Sequence, residues 1–283
     1  MNRRDMLRTT GAAVLGLSAF PLRWTAAADK KPQKVLYFTR SAGFKHSVVS
    51  RKDGQLAHSE KVLTEMGKKA GFEVVCSQEE SVFDGDLGQF DLIAFYTTGD
   101  VISPERKAKL LATIHAGKGF VGFHCATDTF HSKGQVLDPY LAMVGAEFTG
   151  HGSQQKVTMK IVSPDFPGLK GLGDSFAMLE EWYTFHKFLP DLHVILVQET
   201  QGMHDSLYQR PPYPATWARL HGKGRVFYTS MGHREDVWTS PIFQQIALGG
   251  IAWALCNVDA DVTPNIAAVT PRADENAHEA KKR

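Results

Sequence analysis

Residues 119 to 131 read Gly-Phe-Val-Gly-Phe-His-Cys-Ala-Thr-Asp-Thr-Phe-His, an apolar run that stops abruptly in polar side chains. Five consecutive apolar residues with no alternation predict a strand buried on both faces, the pattern of a parallel sheet covered by helices. The residues at its carboxyl end bear chemistry: His124, Cys125, Thr127, Asp128 and His131 crowd together there. A cysteine there can be a nucleophile, whereas histidines and an aspartate can hold a metal or grip a sugar.

The chain on either side repeats the strand pattern. Lys34–Thr39, Glu73–Cys76 and Asp91–Tyr96 are short apolar runs of strand length. Between them, helical patterns run from about Gln55 to Lys69, stopped by Gly71, and from Ser103-Pro104, a cap and a first-turn proline, to about Ala116. This alternation predicts an α/β domain with a mostly parallel central sheet and helices on both faces. The second half is less regular. Strands are expected at 155–162, 193–198, 215–220 and 225–229, a closing helix at about 242–255, and long loops at 163–174 and 200–214. Loops of that length in a compact domain usually build a site or are disordered.

Ligands bind an open parallel sheet outside the carboxyl ends of its strands. The predicted strands end in Thr39 to His46, in Thr97-Thr98-Gly99-Asp100 and in His124 to Asp128, so His46, Asp100, His124 and Asp128 should meet on one rim. Three further segments add candidates. His151 lies between Gly150 and Gly152, Glu180-Glu181 precede Trp182-Tyr183, and His233 follows the strand ending at Thr229. Two adjacent carboxylates in an extended chain point to opposite sides, so one of Glu180 and Glu181 is expected to face a site. His58, His115, His193, His221 and His278 sit in helix, strand-edge or tail patterns and read as structural or surface groups.

The first 28 residues read as an address. Arg3-Arg4 opens a twin-arginine signal, Gly11 to Phe20 is its apolar run, and Ala26-Ala27-Ala28 its cleavage site. The run is too short to span a bilayer. The expectation is a periplasmic or secreted mature chain with no membrane insertion, one domain over 29–258 and a polar tail over 259–283. Four of the 32 basic residues and one of the 30 acidic residues lie in that leader, which leaves 28 and 29 in a near-neutral mature chain. Nothing there resembles the basic footprint of a nucleic-acid binder. Cys76, Cys125 and Cys256 are too few and too scattered for a disulfide framework.

The order of the short motifs is itself informative. Lys34–Thr39 with Gly43-Phe44-Lys45-His46, Gly122 to Asp128, Phe148-Thr149-Gly150-His151, Glu180 to Tyr183 and Ala215 to His233 together resemble the ThuA-like (trehalose-utilisation) family. The resemblance spans about Lys34 to Cys256. It implies a flavodoxin-like fold of the class I glutamine amidotransferase type. In that comparison His124, not Cys125, falls on the amidotransferase nucleophile position, which argues against a glutaminase.

The resemblance also implies carbohydrate metabolism, with 3-keto sugars as neighbours in the chemistry. A ketone at C3 acidifies the C2 proton, so its removal can expel the C1 substituent and cleave a glycosidic bond. Such a site needs an electrophile on the ketone oxygen and a base at C2. His124, Asp128, Glu181 and His233 are the candidate catalytic residues; His46, Asp100, Trp182 and Tyr183 the candidate substrate contacts. His124 and His151 are the candidate ligands of one divalent metal, zinc, manganese or iron, and no nucleotide cofactor is expected. The alternative is a non-catalytic, exported sugar-binding module.

Overall fold

The computed structural model describes residues 31–275, so the expected leader and the last eight residues lie outside the described part. Strands β1 (Gln33–Phe38), β2 (Phe72–Ser77), β3 (Leu92–Phe95) and β4 (Gly119–Phe123) form the parallel half of the sheet. Strand β11 (Gly224–Thr229) joins β4 in parallel. From β11 the sheet continues antiparallel through β10 (Tyr213–His221), β9 (His193–Gln198), β6 (Gln155–Ile161) and β7 (Ser175–Glu180). The order across the nine strands is β2-β1-β3-β4-β11-β10-β9-β6-β7. A separate two-stranded ribbon pairs β5 (Glu147–His151) with β8 (Tyr183–His186). The flavodoxin-like α/β core expected from the sequence is therefore present, extended by an antiparallel wing.

The helices follow local chemistry. Helix α1 (His58–Ala70) begins where the Glu60 carboxylate accepts from the free Ala57 N–H at 2.8 Å, and it ends on Gly71 at φ +90°, a conformation that costs glycine little. Helix α2 (Pro104–His115) starts on the expected Ser103 cap and Pro104. The short helices α3 (Pro139–Val144) and α4 (Glu235–Thr239) flank the sheet, and α5 (Pro241–Ala254) packs its apolar length on β4 and β11. Helices α1, α4 and α5 pack together, and α2 packs with α3, so both faces of the parallel half are covered; its inner strands β1, β3 and β4 are largely buried, while the edge strand β2 is only partly so.

Three features differ from the sequence reading. Strand β7 and the β5–β8 ribbon are additions to the expected elements. Strand β7 alternates exposed and buried residues over SFAMLE, with alanine and leucine on the exposed side, so its outer face lacks the polar signal of a half-buried strand. The chain after 258 is packed at least as far as Glu275, beyond the boundary expected for a tail. Helix α6 (Ile266–Val269) follows Asn265, whose side chain bonds both the N–H and the carbonyl of Val194, and Ile266, Thr270 and Ala273 are buried.

Candidate metal centre

The topology delivers four side chains to one point. His46 comes from the loop after β1, His124 from the end of β4, His233 from the turn after β11, and Glu181 from the link between β7 and β8. Strands β1, β3, β4 and β11 are consecutive in the sheet, which places three of these groups along its carboxyl edge as the parallel-sheet rule requires. One ligand-capable atom from each of His46, His124, His233 and Glu181 lies within 4.8 Å of all the others.

Each imidazole is held by its backbone or its neighbours. His124 sits at φ +44°, a left-handed conformation that is costly for a side chain this large, at the abrupt end of β4. Its carbonyl accepts from the Tyr228 hydroxyl at 2.6 Å, and its Nδ1 lies 2.8 Å from the Ser230 carbonyl. A carbonyl can only accept, so Nδ1 carries the proton and Nε2 presents a bare lone pair. The His46 ring stands edge-on to those of His124 and His233, at 5.0 and 5.2 Å, with its Nε2 3.5 Å from the Tyr183 hydroxyl.

The decisive detail is what these nitrogens lack. His46 Nδ1, His124 Nε2 and His233 Nδ1 are buried and have no hydrogen-bond partner. His233 Nδ1 and His124 Nε2 lie 3.0 and 3.5 Å from Glu181 Oε2, close enough in distance but outside hydrogen-bonding direction. Buried polar atoms are rarely left unpaired, because each one costs its lost hydration. Three such imidazole nitrogens and a carboxylate facing one point are a group of side chains that could hold a four-coordinate divalent ion.

The electrostatics agree with that role. Burial, reinforced by the nearby His124 and His233, pushes the His46 pKa down to about 2, and burial also lowers that of His124, so both rings are neutral at pH 7. Burial acts on His233 in the same direction, but the Glu181 carboxylate outweighs it and the net shift is upward. Burial alone would raise Glu181; His124 and His233 overturn it and hold the carboxyl well below its ordinary range.

Glu180 supports this arrangement from beneath. Fully buried, it accepts from the backbone N–H groups of Gly232 and His233 through Oε2 and of Glu181 through Oε1, fixing the approach of two candidate ligands. Burial pushes its pKa up to about 7 despite these bonds. One member of the Glu180-Glu181 pair thus faces the cluster, as extended geometry requires, and the other braces it. Gly232, at φ +126°, makes the turn between β11 and His233, and its carbonyl accepts from Trp238 Nε1 and the Tyr96 hydroxyl.

The remaining candidates divide. His151 is outside the four-atom cluster: its ring is half-exposed at the mouth, with Nδ1 3.3 Å from Glu181 Oε1 and its plane stacked on Tyr183 at 5.8 Å. Expected as a ligand beside His124, it is replaced there by His46 and His233. Asp128 pairs with His131 Nε2 at 2.9 Å, and burial raises its carboxyl pKa. Asp100 is exposed and takes no part in the cluster. Trp182 is wholly buried and donates Nε1 to the Gln155 carbonyl at 2.9 Å, so it offers no face to a sugar. Tyr183 is a wall of the cluster, its ring 4.1 Å from that of His124. Cys125 is buried in the core and burial drives its thiol pKa far upward, the opposite of an activated nucleophile. Sequence reading missed the bracing role of Glu180 and the exposed Phe44 beside His46.

Comparison with known proteins now places the chain. Thua-like proteins from Bacteroides uniformis and Parabacteroides merdae each share 18% identity with it. The first covers 82% of this chain and 95% of its own at a TM-score of 0.62, the second 83% and 94% at 0.63. A β-galactosidase from Bacillus circulans sp. alkalophilus matches over 79% of this chain but only 30% of that enzyme, at 12% identity and a TM-score of 0.51, a likeness of fold alone. A search of curated protein sequences gives no match. The model of the ThuA family, described as trehalose utilisation, matches residues 34–254, and the chain belongs to that family.

Proposed function

We propose that His46, His124, His233 and Glu181 bind one divalent metal ion, and that the protein is an enzyme acting on keto-sugar glycosides. The observation that carries this reading is the set of three buried imidazole nitrogens, without hydrogen bonds, that converge with Glu181. A mixed histidine and carboxylate set suits zinc, manganese or iron. Bound there, the ion supplies a Lewis acid for the C3 carbonyl oxygen of the sugar.

The protein's own groups supply the proton chemistry. His151, half-exposed beside Glu181, is placed to remove the C2 proton, whose bonding electrons become the C1–C2 double bond as the C1–oxygen bond breaks. The same proton then returns from His151 to the departing oxygen, so the step needs no oxidant and no covalent enzyme intermediate. Tyr183 holds the His151 ring in register by stacking. The twin-arginine pattern at Arg3-Arg4 supports action outside the cytoplasm, on extracellular sugars or sugars in transit to the cell.

The experiment is direct. Metal-loaded protein is incubated with 3-keto glycosides and the released alcohol is measured, in parallel with His151→Ala. Cleavage by the parent and a loss of kcat on the order of 100-fold in the variant, with metal content retained, supports the reading. Cleavage unaffected by His151→Ala removes His151 from the chemistry, and no cleavage of any keto glycoside removes the proposed reaction.

A further inference from the structure

The two edges of the nine-stranded sheet are built differently. At one edge, β2 packs against helix α1 and carries Glu73, ion-paired with Lys34 at 3.6 Å. Charge of that kind keeps an edge from pairing with another chain. At the other edge, β7 pairs with β6 alone among the described residues. Its sequence SFAMLE holds no lysine, arginine or proline, its register with β6 runs without a bulge, and Leu179 is 42% exposed.

The register fixes which backbone groups of β7 lack a strand to bond. In an antiparallel pair, alternate residues direct their N–H and C=O to the neighbouring strand and the others direct theirs away from it. The Ile161 N–H donates to the Asp174 carbonyl at 2.8 Å. Thr158, opposite Ala177, accepts through its carbonyl from the Glu199 N–H at 3.1 Å, on the side away from β7. Phe176, Met178 and Glu180 therefore bond β6. Ser175, Ala177 and Leu179 turn their N–H and C=O outward, where the sheet has no further strand. This outward row is centred on Ala177.

We propose that β7 is an interaction surface for a second copy of this chain, the two β7 strands pairing antiparallel about a two-fold axis through Ala177. That axis sets Ala177 opposite itself and Ser175 opposite Leu179, so every outward N–H and C=O of both rows finds a partner. The row is its own complement, which a foreign strand would have to match in spacing and side chains. Charge permits the pairing. The solvent face of β7 is uncharged, and Lys156 beside Leu179 ends three strand spacings, about 14 Å, from the copy of Lys160 beside Ser175. On the core face the axis sets Phe176 opposite Met178, two side chains left 9% and 8% exposed at the end of the sheet. Their pairing completes an apolar row and adds a sulfur–aromatic contact. Glu180 lies beyond the paired row and keeps its bonds to Gly232 and His233. The product is one continuous sheet with nine strands from each copy.

Analytical ultracentrifugation of the purified protein across micromolar concentrations, beside Leu179→Lys and Ala177→Pro, tests the pairing. Leu179→Lys puts a charge on the edge, and Ala177→Pro removes an outward N–H while leaving the bonds to β6 in place. The parent is expected to be a dimer that dissociates on dilution. Each variant, with an unchanged circular-dichroism spectrum, should weaken the dimer on the order of 10-fold or more. Hydrogen exchange of the parent reads the same contact without a substitution. The amides of Ala177 and Leu179 should be protected in the dimer and exchange on dilution, whereas those of Phe176 and Met178 stay protected throughout. A parent that is monomeric at every concentration, a dimer that either folded variant preserves, or Ala177 and Leu179 amides that always exchange freely overturns the proposal.

Discussion

Two carboxylates in this protein are each ringed by histidines, and they behave in opposite ways. Glu147, on β5, accepts from the Ser132 N–H at 2.8 Å through Oε1, and its Oε2 has Lys187 Nζ at 3.1 Å and His186 Nε2 at 3.2 Å. Both oxygens are engaged by donors, one of them a permanent cation. Glu181 faces His124, His233 and His151, yet the nearest imidazole nitrogens miss hydrogen-bonding direction and two of them are left buried without a partner. Composition does not separate the two clusters. The difference lies in satisfaction: around Glu147 the donors satisfy the acceptor, whereas beside Glu181 two buried imidazole nitrogens, His124 Nε2 and His233 Nδ1, are left without a hydrogen-bond partner, an arrangement that a bound cation would resolve.

The contrast breaks most visibly at the ligands. His124→Ala should weaken metal binding on the order of 100-fold or more, beyond the 10–100-fold typical of outer supports. If the bound ion stabilises the native state at about 100 times its dissociation constant, chelation should lower the parent Tm by about 5 °C or more and leave the variant unchanged. Calorimetric scans with and without chelator check this. Glu180→Gln keeps every ligand but removes an acceptor for the backbone of Gly232 and His233, and should cost about 10–100-fold in metal affinity, measured by competition with a chromophoric chelator.

At Glu147 the expectation reverses. Glu147→Gln should leave metal content intact and destabilise the fold on the order of 2 kcal/mol at pH 7. Burial alone would raise the Glu147 pKa, but the Ser132, Lys187 and His186 contacts outweigh it and bring it from 4.5 down to about 2. A carboxyl depressed in the folded state contributes its stability in full above its unfolded value and loses it as pH falls toward the folded one. Parent and variant stabilities should therefore differ most above about pH 5 and converge near pH 2, as denaturant titrations across that range would show. The smallest effect belongs to Cys125→Ala: about 1 kcal/mol of stability from lost packing, with metal content and turnover unchanged. Inactivation of that variant would return the cysteine to the chemistry.

The parallel half of the fold was legible because its inner strands β1, β3 and β4 are buried on both faces and so read as continuous apolar runs. Ser103 and Pro104 mark the start of α2 by the local chemistry of a cap, and Gly71 marks the end of α1. Strand β7 was not legible, because an edge strand that exposes alanine and leucine loses the alternation that would reveal it. The rim was visible in part: His46 and His124 meet at the strand ends as expected, Asp100 and Asp128 do not join them, and His233, a separate candidate after β11, does. What sequence could not resolve is direction within that rim. His151 follows a glycine in a motif as suggestive as the others, yet the ribbon β5–β8 carries it to the mouth. Asp100 ends a strand as His124 does and stays in solvent. Trp182 adjoins Glu181 in sequence, but its indole is committed to the Gln155 carbonyl. Each of these distinctions depends on tertiary packing that no local pattern encodes.

A four-ligand centre stands or falls on the metal content of the purified protein. Protein prepared without chelator, or reconstituted with zinc, manganese or iron and then dialysed, is analysed for bound metal beside His124→Ala and Glu147→Gln. The expected result is about one ion per chain in the parent and in Glu147→Gln, and loss of that ion in His124→Ala. A parent that retains no metal under any of these conditions, or a His124→Ala variant that retains as much as the parent, would contradict the centre.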